Sequence, residues 1–211
     1  MNVLFLGPSG SGKDTQAELL VEQLGFTRVS TGDLMRDISD GEKDIQKMIR
    51  QAMNQGFLAD NFVFGLTEIY LQHIKTEDII LSGSVRKDSQ VELLDFTLFK
   101  VGKTLDKVIY FDLSDEESIK RMSGRLYCSN CYMNYHKIFN SPKRVDICDN
   151  CGSRLEQRDD DNTEAIKKRL IDFHKDNTEI IEQYVQRGIL IKIDASKSIE
   201  EINAELLEIL R

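Results

Sequence analysis

A short apolar run, Val3 to Leu6, leads without a break into Gly7-Pro8-Ser9-Gly10-Ser11-Gly12-Lys13. That junction constrains the fold more than any other feature of the chain. Consecutive apolar residues suit a strand buried on both faces, as in a parallel sheet. Glycines allow backbone N–H groups to converge on anionic oxygens, and a helix that follows turns its positive end toward them. Gly7-x-x-x-x-Gly12-Lys13 is therefore a phosphate-cradle pattern, with Lys13 as a mobile cation for the β and γ phosphates. The strict pattern puts Ser or Thr directly after the lysine, whereas here Asp14 intervenes before Thr15. The Asp14 carboxylate favours a helix start but opposes a nearby polyphosphate. Two unit charges ~6 Å apart at an effective dielectric of ~20 interact by roughly 3 kcal/mol.

The rest of the chain alternates in the same way. Ala17, Leu20, Val21 and Leu24 lie on one helical face closed by Gly25, and Phe26 to Val29 reads as a strand. Ser30-Thr31-Gly32-Asp33 offers capping chemistry before Leu34 and Met35. One charged helix is expected over Asp37 to Met53, ending near Gly56, and another over Asn61 to Ile74. Asp78 to Leu81 and Lys107 to Phe111 read as strands, with an apolar helical face over Val91 to Phe99 between them. A helix over Glu116 to Met122 stops at Gly124. Asp161 with Glu164 forms a capping-box pattern. A long helix follows, with Ile166, Leu170, Phe173, Ile180, Tyr184 and Val185 on one face. Gly188 ends it, Ile189 to Ile193 is a strand, and Ile199, Ile202, Leu206 and Leu210 mark a final helix. Strands alternating with helices predict an α/β fold with a parallel sheet and crossovers.

Residues 127–157 break this rhythm and predict a small inserted β module. They hold all four cysteines, as Cys128-x-x-Cys131 and Cys148-x-x-Cys151, sixteen residues apart. In a reducing compartment that spacing reads as metal ligation rather than disulfides, and four thiolates suit tetrahedral Zn²⁺. A closed ligand set makes the metal structural, staple to a module too small for a core of its own. His136 is expected to pack or face solvent rather than to ligate.

The net charge of −8 gives no general attraction for nucleic acid or anionic membranes, so phosphate must be held by local cations and amides. No apolar run approaches the ~18 residues of a membrane span. The first residues enter the glycine loop without a signal peptide's charged region, so a cytoplasmic location is expected.

Several segments together resemble the adenylate kinase family over essentially the whole chain. Gly7 to Gln16 is similar to that family's loop, in which Gly normally separates Lys from Thr, and Ser30-Thr31-Gly32-Asp33-Leu34-Met35-Arg36 resembles its AMP-site segment. Gly83, Arg86 and Gln90 fall where the family has a second AMP segment. Arg121 and Gly124-Arg125 resemble the ATP-side arginines before the lid, and Arg158-Asp159-Asp160-Asp161 with Arg169 resembles the lid exit.

The resemblance implies a P-loop-type core (1–29, 60–126 and 159–211), a helical segment for the nucleoside monophosphate (30–59) and a zinc-stapled lid (127–158). It implies ATP contacts from Gly10, Ser11, Gly12, Lys13, Asp14, Thr15, Arg121, Arg125, Asn134, Tyr135 and Lys197. AMP would be met by Thr31, Arg36, Phe57, Leu58, Ala59, Gly83, Ser84, Val85, Arg86 and Gln90. Arg158 and Arg169 would serve AMP and the transferring group. Lys13, Arg86, Arg121, Arg125, Arg158 and Arg169 form the implied catalytic set, in keeping with a reaction that needs alignment and neutralised charge. Asp160 and Asp161 are implied in lid closure and in holding arginines, beside their reading as a helix cap. The expected reaction is ATP + AMP = 2 ADP with Mg²⁺, direct and in line, in a monomer that binds neither nucleic acid nor membrane.

The chain departs from the family at Ser82-Gly83-Ser84-Val85-Arg86, where the usual segment is Asp-Gly-Phe-Pro-Arg. Ser82 brings no charge to Mg²⁺ or its waters. Two further readings stay open at this point: a nucleotide-binding homologue with little catalysis, and a kinase for another nucleoside monophosphate.

Overall fold

The apolar runs form the strands that their composition predicts. In the computed structural model, which describes residues 1–41, 43–55, 58–157 and 161–211 (at Asn54 and Gln55 the backbone alone), β1 spans Asn2–Leu6 and is buried throughout. Along the chain follow α1 (Lys13–Leu24), β2 (Thr27–Ser30), α2 (Thr31–Ser39), α3 (Asp44–Gln55), α4 (Asp60–His73) and β3 (Ile79–Ser82). Then come α5 (Ser89–Lys100), β4 (Lys107–Asp112), α6 (Asp115–Ser123), β5 (Arg125–Tyr127), β6 (Asn134–His136), α7 (Thr163–Gln186), β7 (Leu190–Asp194) and α8 (Ile199–Leu210). The strand order β2-β3-β1-β4-β7, with crossover helices between, is that of a P-loop-type α/β sheet.

The chain forms two compact units, and it passes from one to the other at the end of β1 and inside α1, β4, α7 and β7. The first comprises Met1–Leu6, Leu20–Ile109 and Asp176–Ile191. Within it β1 and β2 both pair in parallel with β3, Leu4 and Val29 each facing Leu81. The Asp106 N–H donates to the Asn2 carbonyl and the Val108 N–H to the Ile189 carbonyl, which brings the starts of β4 and β7 alongside. Val3, Leu4, Phe5, Ile79, Ile80 and Leu81 have no accessible surface, and Leu94, Leu98 and Tyr184 of the helices are buried in the same unit.

The second unit comprises Gly7–Leu19, Tyr110–Lys175 and Lys192–Arg211. Phe111, Met122, Ile166, Leu170 and Leu206 are buried in it. The Ala195 N–H donates to the Asp112 carbonyl and continues the β4–β7 pairing. A Ser198–Glu201 capping box starts α8, a Ser-x-x-Glu signal readable in the sequence.

Three expectations need correction. The single helix over Asp37 to Met53 is two, α2 and α3, separated at Asp40 and Gly41. Arg50 holds the break by donating to the Ser39 and Gly41 carbonyls, both at 2.9 Å. Asp161 does not cap α7; the Asn162 side chain does, accepting from the Ala165 N–H at 2.9 Å. Val185 is exposed rather than on the buried face of α7.

Leu81 is central to the first unit, with paired strands on both sides. Leu81→Ala is expected to lower the unfolding free energy by about 2–5 kcal/mol through transfer and cavity losses. Denaturant unfolding should show a lower midpoint at an unchanged slope.

Candidate active site and metal centre

The phosphate loop belongs to the second unit. Gly7, Gly10 and Gly12 all have φ in the left-handed region, which glycine adopts without strain. At Gly7 the demand is also steric, since a Cβ would lie 2.7 Å from the Phe111 carbonyl oxygen. The Lys13 ammonium folds across the loop and donates to the Gly7 and Pro8 carbonyls at 2.8 and 2.7 Å and to Ser11 Oγ at 3.0 Å. The loop is tied down from outside by Ser118, whose hydroxyl donates to the Ser9 carbonyl. In α1, the Gln16 side chain donates to the Ile199 carbonyl at 2.8 Å. Asp14 and Thr15 stand in the first turn of α1.

Arg121, at the C-terminal end of α6, bonds Glu117 at 3.1 Å and the Ala195 carbonyl at 2.9 Å. Glu117 was not among the expected site residues, although its i, i+4 spacing from Arg121 carries the signal. Burial raises the Glu117 carboxyl's affinity for a proton, but hydrogen bonds from Lys120 and Arg121 outweigh it and hold the pKa low. The Arg121 guanidinium also lies over the Phe139 ring. Arg125 grips Asp161 with two bonds, of 2.8 and 2.6 Å, and Arg169 reaches the same carboxylate at 3.3 Å. The Asp161 side chain is fully buried, so this one anion gathers two of the expected cations. Lys197 is more exposed and pairs with Glu205 at 2.8 Å. Arg158 and Asp160 lie outside the described residues.

Apart from Arg169, the residues expected around AMP that are described lie in the first unit. Ser30 caps α2 by accepting from the Asp33 N–H at 3.2 Å. Asp33 then binds both Arg36 and Arg28, the latter at 2.7 Å. The Thr31 hydroxyl donates to the Gly83 carbonyl at 3.1 Å, joining the two expected AMP segments. Gln90 accepts from the Arg86 N–H at 2.7 Å and donates to Asp60 at 2.6 Å. Arg86 is exposed, whereas Ser82, Ser84 and Val85 are buried. Ala59 precedes α4 in extended conformation, beside Leu58. Phe57 lies outside the described residues.

In the cysteine module β5 and β6 pair antiparallel, Leu126 opposite Tyr135. The expectation of a module too small for a core needs correction: Leu126, Cys128, Tyr135, Cys148 and Leu155 make a small core of their own, two of them ligand cysteines. Each cysteine pair sits in the same turn. The Tyr132 N–H donates to the Cys128 carbonyl and the Gly152 N–H to the Cys148 carbonyl, both at 2.9 Å. Tyr132 and Gly152 both have φ in the left-handed region, at 61° and 75°. All four sulfurs lie within 4.8 Å of one another, with Cys128–Cys151 at 3.4 Å and Cys131–Cys148 at 3.5 Å. Tetrahedral ligation at about 2.3 Å requires sulfurs about 3.8 Å apart, so the donor set fits Zn²⁺ closely. Burial pushes the Cys128 thiol up to about 12, while hydrogen bonds from Ser153 and Asn130 bring exposed Cys151 down to about 5. His136 is not in the cluster; its ring packs on Phe139 and its Nδ1 accepts from the Ile138 and Phe139 N–H groups. Asn134 precedes Tyr135 on β6, and the Tyr135 ring is inside the module's core.

Comparison with known proteins agrees with this arrangement. A family model described as adenylate kinase matches residues 5–189. The chain is 36% identical to an adenylate kinase of Methanosarcina barkeri, covering 100% of this chain and 99% of that one. It is 39% identical to one of Archaeoglobus fulgidus (100% and 98% covered) and 37% identical to one of Carboxydothermus hydrogenoformans (98% and 97%). With a glycine cradle closed by Lys13, arginines held ready by carboxylates and likeness along its whole length, the chain belongs to the adenylate kinase family.

Proposed function

We propose that the protein catalyses reversible phosphoryl transfer, ATP + AMP = 2 ADP, directly and in line. The observation that carries this reading is the Lys13 ammonium, held across the glycine loop by two carbonyls and a hydroxyl. A cation so placed exchanges those acceptors for phosphate oxygens without a large movement of the backbone. ATP is assigned to the second unit: to the backbone from Gly10 to Gly12, to Lys13, Asp14 and Thr15, and to Arg121, Arg125, Asn134, Tyr135 and Lys197. AMP is assigned to Thr31, Arg36, residues 57–59, Gly83 to Arg86 and Gln90. Arg158 and Arg169 neutralise the transferring group. Guanidinium forks match phosphate oxygens in pairs, which is why arginine suits these positions.

Mg²⁺ enters with ATP as part of the substrate and neutralises phosphate charge. At the end of β3 the chain offers the buried, uncharged Ser82. Zn²⁺ at Cys128, Cys131, Cys148 and Cys151 supplies a structural cross-link when bound. A core, a monophosphate-binding segment at 30–59 and a lid at 127–158 make up the working divisions. The protein acts as a cytoplasmic monomer.

Turnover measured with AMP, UMP, CMP and GMP, with and without Mg²⁺, tests the assignment directly. AMP should be preferred, and Lys13→Ala should reduce ADP formation by on the order of 10²–10³ with thermal unfolding unchanged. A wild-type rate equal to that of Lys13→Ala would refute the enzymatic reading. Asp161→Asn removes the buried anion shared by Arg125 and Arg169. It should cost on the order of 3 kcal/mol in denaturant unfolding and lower turnover as well. Cys148→Ser should abolish stoichiometric zinc and lower the melting temperature while AMP binding is kept, measured by metal analysis, calorimetry and titration.

A further inference from the structure

The two cysteine turns are built alike, and this likeness exposes one difference between them. In the first, backbone N–H groups of Asn130 and Cys131 point to the Cys128 sulfur; in the second, those of Asn150 and Cys151 point to Cys148. Both sulfurs are fully buried. Among the described residues, Cys128 is otherwise met by cysteine sulfurs, but Cys148 also has the Tyr135 hydroxyl at 3.5 Å. That hydroxyl accepts from the Asp149 N–H at 2.9 Å. With its oxygen engaged by an amide, its own hydrogen is left for sulfur. A metal-bound thiolate carries no hydrogen, so tyrosine must be the donor of this O–H···S bond.

We propose that Tyr135 is a positioning residue of the metal centre, its hydroxyl donating to the Cys148 thiolate and fixing the second cysteine turn against β6. This rests on the reading of the four cysteines as a zinc site. Three features make the role specific. Tyr135 pairs with Leu126 across the β5–β6 ribbon, so its ring is anchored independently of the metal. Its hydroxyl bonds two consecutive residues, Cys148 and Asp149, which locks the entry to that turn. A buried thiolate also loses hydration, and a hydroxyl donor replaces part of what water would have supplied. Asn134, assigned to ATP, is the residue next to it on the same strand. The metal centre is therefore coupled through one side chain to the strand that serves the nucleotide.

Tyr135→Phe tests the bond while keeping the ring. Zinc-loaded wild type and variant should each hold one metal per chain, and the variant should release it to excess EDTA about tenfold faster. With Co²⁺ in place of Zn²⁺, the sulfur-to-metal charge-transfer band of the variant should move to lower energy, because a thiolate without its donor is more electron-rich. Equal release rates and an unmoved band would overturn the inference. Faster release with an unmoved band would make Tyr135 a packing residue and overturn it equally. A wild-type protein that takes up no metal would overturn the zinc reading itself, and this inference with it.

Discussion

The Phe111 carbonyl oxygen sets where the phosphate loop can run. It leaves no space for a side chain at Gly7, so the backbone leaves β1 pressed against β4 within the second unit. From that point left-handed conformations at Gly10 and Gly12 curl the loop, and α1 begins at Lys13 with its amides facing inward. The hydroxyl of Ser118 holds the far side by the Ser9 carbonyl. A cradle made of amides works only if the backbone is fixed, and here neighbouring backbone and one buried serine do that fixing.

The cations follow a related logic. Arg36 is held by Asp33, Arg121 by Glu117, and Arg125 and Arg169 by Asp161. Long side chains lose rotamer entropy when they order around a ligand, so holding them beforehand lowers the cost of binding. The carboxylates subtract from the positive field, yet Asp161 serves two guanidinium groups and leaves a surplus of one positive charge. A protein with net charge −8 can thus attract polyphosphate locally without attracting it over its whole surface.

Most of the strands were legible because burial on both faces demands continuous apolar residues; Val3 to Leu6 and Lys107 to Phe111 could hardly have been read otherwise. The cysteine spacing was equally direct, since four thiolates in two short pairs imply one chemistry. What escaped was set by contacts between distant residues. The break between α2 and α3 lies in an evenly charged stretch and depends on Arg50 reaching back to two carbonyls. Asp161 looks like a helix cap from its neighbours alone; the resemblance implied that it holds arginines, and a partner thirty-six positions away does take its side chain. Tyr135 reads as a nucleotide contact by resemblance; that its ring also belongs to the core of the cysteine module was not legible. Local patterning carries the elements and the cradle; the assignment of each charged or polar side chain to its partner is a property of the folded chain.

The matching turns around Cys128 and Cys148 have a consequence for how this module can vary. Each turn closes on itself through a short-range hydrogen bond, so half of the ligand set is made locally wherever the turn occurs. Only the juxtaposition of two finished halves depends on the intervening stretch. Closing such a spacer costs an entropy that grows only as the logarithm of its length, about 0.6 kcal/mol per doubling. Insertions in the exposed stretch from Lys137 to Val145 are thermodynamically inexpensive, whereas a single insertion inside either turn separates ligands that no other contact can reunite.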